Sequence, residues 1–510
     1  MSNVAETANA LNLLERSTNI ILEPAGIRPA ASQSLAARKK VLFVTPELGD
    51  LVKTGGLGEV SAALPRALAE LHDVRILIPG YAQILNQNLP VRVVGNLPAY
   101  AGLPACRIGR LDLPDGLIVY LVLCPELYER EGTPYCTPHG HDWHDNAVRF
   151  ARLGLAAADM AAGAARLGWI PDLLHAHDWP AGLAPAYAKW RGLEIPSIFT
   201  VHNLGYQGLL DMSHRHHLGI PDSACHMDEM EFYGQLSMLK AGMAYASHIT
   251  TVSNTYADEI TTPAFGHGLE GFLLKKAGEG NLSGFRNGID ESWHPDLDPH
   301  LIEGFSYNNW TGKAANAAWI RQQFGLRENG SPLFAVVSRL VHQKGMDLTL
   351  AVADSIIARG GQMVVIGNGE PQVEAQFRHL ASRHPGSIGV RIGFNDTLAR
   401  RIYAASDFLL MPSRYEPCGL SQMYAQRYGS LPVARRTGGL ADTIEDGLTG
   451  FLFDDSSLAS YDQAICRAFG CYRQPDLLGA MRNRAMAGEF FWHQSIAPYD
   501  QLYRQLTCKA

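Results

Sequence analysis

Five short stretches carry side chains whose types and spacing could do chemistry. Lys53-Thr54-Gly55-Gly56-Leu57-Gly58-Glu59 sets a cation beside paired glycines. Glycine lets a backbone approach a ligand closely, and a helix opening there would aim its N–H groups at an anion. The spacing is neither G-x-G-x-x-G nor a Walker loop, so it does not indicate a dinucleotide or ordinary NTP site. A plain glycine turn before a helix would read the same way. His175-Ala176-His177-Asp178-Trp179 offers imidazoles at i and i+2, a spacing open to a metal pair but with no third ligand nearby. The plain alternative is a strand with one core histidine. His202-Asn203-Leu204-Gly205-Tyr206-Gln207-Gly208 gathers imidazole, amide and phenol groups, the donors and acceptors that sugar hydroxyls need. A merely polar loop would look similar.

The fourth stretch holds Arg339 and Lys344, a guanidinium fork and a point charge bracketing one loop. Together they suit a diphosphate, although two solvated surface cations are the everyday alternative. The fifth runs Ser413-Arg414-Tyr415-Glu416-Pro417-Cys418-Gly419-Leu420-Ser421-Gln422. Its carboxylate could serve a ligand or simply answer a helix macrodipole. Thr437-Gly438-Gly439-Leu440 makes a second glycine turn before a helix.

All of these fall just after short apolar runs. Lys40–Val44, the VRILIP run, DLLHAHD, SIFTVHN and SHITTVS read as buried parallel strands separated by helical patterns. A second set follows: LFAVVSR, the helix MDLTLAVADSIIA, QMVVIGNG, IGVRIGF, DFLLMPS and LPVARRT. The β-loop-α-β order predicts two successive doubly wound α/β domains, with ligands at the carboxyl ends of the strands. We expect an N-terminal extension over 1–38, Rossmann-like domains over 39–286 and 287–493, and a C-terminal helix over 494–510 packing back on the first domain.

Composition narrows the function. A net charge of −7 with pI about 6.2 argues against a general nucleic-acid binder. The eight cysteines form no C-x-x-C pair, so free thiols in a reducing cytoplasm are expected. The N-terminus has Glu6 early and no basic start, a poor secretory signal. The Ala-rich stretch 151–171 contains Arg152, Asp159 and Arg166 and reads as a buried helix, not a membrane span.

Taken in order, KTGGLGEV, HAHDW, HNLGYQG, SRLVHQKGMDL, EPCGLSQMYAQRYG and RRTGGLADT resemble the bacterial and plant glycogen and starch synthases, which are retaining GT-B glycosyltransferases. The resemblance covers roughly residues 40–455. It implies a cleft between two Rossmann-like domains, ADP-glucose as donor, and the non-reducing 4-OH of an α-1,4-glucan as acceptor. Carried over residue by residue, Lys53, Gly55 and Gly56 would hold the donor phosphate and sugar region. His177 would lie beside the transferred glucose, with Asp145 on sugar hydroxyls; a helical i, i+4 pair of Asp145 with Arg149 is the plain alternative. Arg339 and Lys344 would bind the diphosphate, and Glu416 sugar hydroxyls. Cys418, Gly419, Leu420 and Ser421 would shape the same pocket, together with Thr437, Gly438 and Gly439. His202, Asn203, Tyr206 and Gln207 would face the sugar, and Phe394 the base.

Some positions depart from the family. Asp50 stands for proline, Gly58-Glu59 for Ala-Asp, Ser421 for threonine and Phe394 for a common tyrosine, while the leader is extra. No cofactor is expected. Arg339 and Lys344 would do the work of a divalent metal, because no Asp-x-Asp stands at a strand end. The rival readings are a related transferase using UDP-glucose or a small acceptor, and an inactive glucan-binding paralogue.

Overall fold

The apolar runs become strands, and the order in which they are laid down decides where the loops of interest meet. The computed structural model describes residues 37–508, so the expected extension lies outside the described residues except at its last two positions. From edge to edge, the first sheet runs Leu282–Gly284, His248–Thr251, Ser197–Val201, Leu173–His177, Lys40–Val44, Asp73–Pro79, Ile118–Leu123, Cys106–Asp112 and Arg92–Leu97. Every pairing as far as Ile118–Leu123 is parallel. The last two strands pair antiparallel. These two, like Ile118–Leu123, were not anticipated from the sequence.

Lys40–Val44 comes first in the chain and lies in the middle, with Phe43 facing Ile76 on one side and His175 on the other. The chain adds strands on one flank, then crosses and adds Leu173–His177 and its successors on the other. This reversal opens a crevice at the carboxyl ends of Lys40–Val44 and Leu173–His177. The glycine loop and His177 lie at that crevice.

The second sheet repeats the plan. Its order is Ile388–Ile392, Gln362–Gly367, Leu333–Val337, Phe408–Met411, Leu431–Arg435, Phe451–Phe453, all parallel. The reversal lies between Leu333–Val337 and Phe408–Met411. The loops after these two strands carry Arg339, Lys344 and Glu416.

The chain passes between the halves twice. Ile289 pairs with Phe491 across the two passes. The helix Ala497–Thr507 then buries Tyr499, Leu502 and Tyr503 in the core of the first half. Each such burial is worth roughly 1.5–3 kcal/mol, enough to fasten the tail. The Ala-rich helix is shorter than its composition suggests. It spans Asn146–Ala161 and stops where Gly163 turns left-handed, with Gly163 N–H donating to Met160 O at 3.0 Å. Arg152 and Asp159 on it are buried and paired at 3.2 Å. Among the described residues no helix is long and apolar enough to cross a membrane.

Candidate active site

The glycine loop is held from below by a carboxylate that sequence reasoning passed over. Glu47 is buried; its Oε2 accepts the N–H groups of Thr54 (2.6 Å) and Gly55 (3.1 Å), and its Oε1 accepts the Tyr135 hydroxyl (2.5 Å). The helix Gly56–Ala69 begins directly after. A Cβ added at Gly55 or Gly56 would meet no protein atom within 4 Å, whereas one at Gly58 would meet Lys53 and Glu47. The paired glycines therefore border open space, which suits close approach by a ligand. Lys53 pairs with Glu59, and the departure at Asp50 is explained by its ion pair with Arg66 at 2.8 Å.

Beside this loop stands a column of neutral imidazoles. His175 is saturated: Nδ1 meets Tyr503 Oη and Nε2 meets Thr200 Oγ1, each at 2.7 Å. It is therefore a core residue and not half of a metal pair. His177 stacks on Phe43 with ring centroids 3.9 Å apart. Its Nδ1 lies 3.0 Å from His202 Nε2, while its buried Nε2 has no hydrogen-bond partner among the described residues. Burial pushes His175 and His202 down to about 3, and His177 well below the ordinary imidazole range. All three are neutral at any working pH.

Asp178, also passed over, turns the chain after His177 with φ 56°. Its carboxylate accepts His202 N–H at 2.7 Å and, more weakly, Asn203 N–H at 3.4 Å. Burial raises this carboxyl to about 7 despite those bonds. Asp178 thus pins the loop that carries His202, Asn203, Tyr206 and Gln207. Asn203 Oδ1 accepts Gly205 N–H (3.0 Å), and Gln207 Nε2 donates to His267 O (3.2 Å).

In the second half, Lys344 ends the turn His342–Lys344, and Gly345 follows with φ 67°. A Cβ at Gly345 would fall 2.0 Å from Pro412 O. Only glycine allows this approach of the loops after Leu333–Val337 and Phe408–Met411, and it brings Lys344 onto Glu416. Lys344 Nζ lies 2.7 and 2.5 Å from the two carboxylate oxygens, and Ser413 Oγ donates to Oε2 at 2.9 Å. Arg339 is exposed and makes only long bonds, to Tyr206 Oη and Gln343 Oε1, both at 3.3 Å. Cys418 is buried, which pushes its thiol up to about 12. Gly419 takes φ 69°, and Leu420 leads into the helix Ser421–Arg427.

The halves touch at several of these residues. Arg339 reaches Tyr206, Lys53 Nζ stands 5.8 Å from the Phe394 ring centre, and His267 meets Tyr415 edge-on at 5.5 Å. Farther along, the halves exchange carboxylates. Asp442 accepts Asn254 N–H (2.6 Å) and Thr255 Oγ1–H (2.5 Å), while Glu259 accepts Thr437 Oγ1–H (2.8 Å) and Gly438 N–H (3.1 Å). Gly439 N–H goes to Glu416 O at 3.0 Å. The Thr437–Gly439 turn thus lies against the Glu416 segment with these donors already engaged by protein.

The structure brings most of the expected site residues to the two facing crevices. At Asp145 the plain alternative of a helical pair is ruled out. Its carboxylate is gripped by Arg130 at 2.9 and 2.7 Å, not by Arg149, which donates instead to Leu127 O, Pro134 O and Asn146 Oδ1. Burial would raise the Asp145 carboxyl, but Arg130 outweighs it and holds it low. An Asp296-Leu297-Asp298 stretch does exist; Asp298 is buried and taken by Arg400 (3.1 Å) and Tyr428 (2.5 Å), so it is structural. Among the described residues no group of three or more His, Cys, Asp or Glu could hold a metal ion.

Known proteins match both halves of the chain. The starch synthase catalytic domain family matches residues 40–275, and the glycosyl transferases group 1 family matches 319–479. A glycogen synthase of Pseudomonas fluorescens is 65% identical over 473 residues, spanning 93% of this chain and 91% of its own. One from Pseudomonas syringae is 64% identical over 472 residues, spanning 92% and 97%. Among solved structures, the catalytic domain of starch synthase IV from Arabidopsis thaliana, bound to ADP and acarbose, superposes with TM-score 0.83. That match is at 29% identity, over 92% of this chain and 100% of the other.

Proposed function

The chain belongs to the glycogen and starch synthase family of GT-B glycosyltransferases, and from that premise we propose how its cleft works and which donor it takes. It moves glucose from a nucleotide sugar to the non-reducing 4-OH of an α-1,4-glucan with retention. The donor we assign is ADP-glucose. The observation that carries the assignment of roles is the meeting of two unlike crevices: Arg339 and the Lys344–Glu416 pair on one side, the His177–His202 pair and open glycine loop on the other.

Arg339 and Lys344 take the diphosphate. As the C1–O bond to phosphate breaks, its electron pair stays with the leaving group, and fixed cations in a drying cleft stabilise that charge. The 4-OH attacks C1 from the same face, and its proton passes to the departing phosphate oxygen. Glucose hydroxyls are read by Glu416 and by His177, whose free Nε2 can take one of them. Asp145, oriented by Arg130 at the start of Asn146–Ala161, is assigned to sugar hydroxyls as well. Phe394, 60% exposed beside Lys53, offers its ring to the base. Phe394→Ala is expected to raise donor KM more than it lowers kcat. Residence in the cytoplasm belongs to the same proposal, supported by eight free cysteines.

The test is transfer of radiolabelled glucose from ADP-glucose and UDP-glucose to glycogen and to maltose, with and without EDTA. Preference for ADP-glucose and glycogen, undiminished by EDTA, is the expected result. Equal use of UDP-glucose would remove the donor assignment. Loss in EDTA restored by Mg²⁺ would remove the cation clamp.

A further inference from the structure

The hairpin formed by Glu231–Phe232 and Gln235–Ser237 is outside the machinery described so far. Its turn is Tyr233-Gly234, and both residues have positive φ, 48° and 84°. Such turns favour Asn-Gly, because a residue with a Cβ is strained in the left-handed region. A tyrosine is the wrong residue for the turn's own sake. It is also 80% exposed, the most exposed large ring among the described residues.

Its orientation is fixed nonetheless. Phe232 meets the ring edge-on at 4.8 Å. On another side the ring lies on the backbone at Gly268, where a Cβ would come 3.1 Å from Tyr233 Cε2 and 3.2 Å from Phe232 Cζ. A strained backbone, an exposed ring and a glycine bed together describe a side chain held out to solvent, not one left there.

Both supports of that ring are tied to the cleft through Gln207. Ser237 Oγ–H and Leu239 N–H donate to Gln207 O, each at 3.1 Å, and Met238 N–H donates to Gly208 O at 3.1 Å. From the other side, Gln207 Nε2 donates to His267 O at 3.2 Å, next to Gly268. The His267 ring faces Tyr415, the neighbour of Glu416. Tyr206, 51% exposed and bonded to Arg339, precedes Gln207. The hairpin is thus rigidly referenced to the reacting centre.

We propose that Tyr233 is a stacking platform for the α-glucan acceptor outside the catalytic cleft. This rests on the acceptor assignment above. The chemistry fits. A pyranose ring of an α-glucan carries axial C–H groups on one face, and these pack on a flat aromatic face. A single exposed ring set among polar groups such as Glu231, Glu270 and His267 recognises a sugar better than an apolar protein face, which needs a contiguous patch. Only an acceptor long enough to leave the cleft gains this contact, so the platform selects for chain length.

The experiment compares native enzyme with Tyr233→Asn and Tyr233→Phe, using glycogen, long maltodextrin and maltose as acceptors. Asparagine suits the left-handed turn, so this variant keeps or gains stability, and a melting curve verifies that it is folded. The expected result is a KM for glycogen and long maltodextrin raised about three- to tenfold in Tyr233→Asn, the scale of one aromatic contact. Its maltose kinetics and ADP-glucose KM stay native, and Tyr233→Phe behaves as native. Retardation in native gels containing glycogen falls in parallel. Unchanged long-acceptor KM, or an equal loss with maltose, in an enzyme that elongates glucan overturns this proposal alone. Failure of the native enzyme to elongate any glucan overturns the acceptor assignment and this proposal with it.

Discussion

At the end of Leu173–His177 the working side chains are buried and neutral; at the end of Leu333–Val337 they are charged and partly open. The two crevices have the same topology, each at a reversal of strand order, yet they are furnished in opposite ways. The difference fits the proposed roles of the two crevices. Sugar hydroxyls carry no charge and are told apart by fixed donors and acceptors, so imidazoles stripped of their protons by burial serve well. A departing diphosphate gains charge, so its side needs cations, and a cation that is largely buried needs a partner while no diphosphate is bound. Glu416 is that partner for Lys344, at 2.7 and 2.5 Å. Arg339 stays exposed and borrows Tyr206 across the cleft.

The largest effects should come from the charged side. Lys344→Ala and Arg339→Ala are each expected to lower kcat by roughly 10²–10³, the usual cost of one electrostatic contact to the transition state. Stability should separate them. Lys344 and Glu416 side chains are 16% and 5% exposed, and breaking a buried pair typically costs about 3–5 kcal/mol. Lys344→Ala should therefore also lower Tm, and adding Glu416→Gln should restore Tm without restoring kcat. Arg339→Ala should leave Tm unchanged. Equal destabilisation by both would mean that Arg339 is as embedded as Lys344, and the contrast drawn above would fail.

The neutral side should respond less to substitution and more to pH. His202→Gln removes one buried neutral contact, His202–His177, so roughly a tenfold loss in kcat is expected. His175 and His202 are depressed to about 3. The unfolded chain takes up their protons near 6.5 while the folded one does not, so stability is lost as pH falls from about 6.5 toward 3. Asp178 has the opposite sign. Its carboxyl is raised to about 7, so its contribution is complete at low pH and lost as pH rises through about 7. Urea midpoints measured across pH 5–8 should show His202→Gln losing less than native on acidification. Asp178→Asn should lose less than native as pH rises from 5 to about 7. Profiles parallel to native in both variants would show that neither group is linked to folding.

The strands bearing the site were legible because each is a short apolar run ending in glycine or polar residues, and so the crevices followed. Arg92–Leu97 and Cys106–Asp112 were not, because exposed Val93 and Val94 at the sheet edge blur the first and Arg107, Arg110 and Asp112 interrupt the apolar run of the second. Lys344 and Glu416 could be nominated from their type, but their pairing could not, since they lie 72 residues apart and meet through Gly345. Glu47 and Asp178 were missed for a related reason. Their partners are mostly backbone N–H groups, which leave no trace in residue identity, and the one side-chain partner, Tyr135 at Glu47, lies 88 residues away. Asp178 follows His177 directly, and a carboxylate at the turn beneath a polar loop was the signal available. At Asp145 the helical spacing offered Arg149 as the plain alternative to a sugar contact, but Arg130 arrives from a separate segment and takes the carboxylate.

The smallest effect should come from the charges of the first half, and it tests the contrast from the other direction. Asp50, at the position where the family carries proline, joins Arg66 at 2.8 Å, and Arg66 also holds Asp115 at 2.5 Å. Asp50 lies on the loop that leads to Lys53, which on position alone would give it a catalytic share. Its surroundings argue otherwise. The three side chains are 31–41% exposed, water and salt screen them, and pairs of this kind are worth about 0–1 kcal/mol. The glycine loop does not depend on them, because Glu47 holds it from the buried side. Asp50→Ala should therefore change kcat by less than about twofold and cost no more than about 1 kcal/mol in urea unfolding, a loss that shrinks further in high salt. A tenfold fall in kcat would show that charge on the first half does steer the reaction, and the division between a neutral sugar side and a charged phosphate side would have to be abandoned.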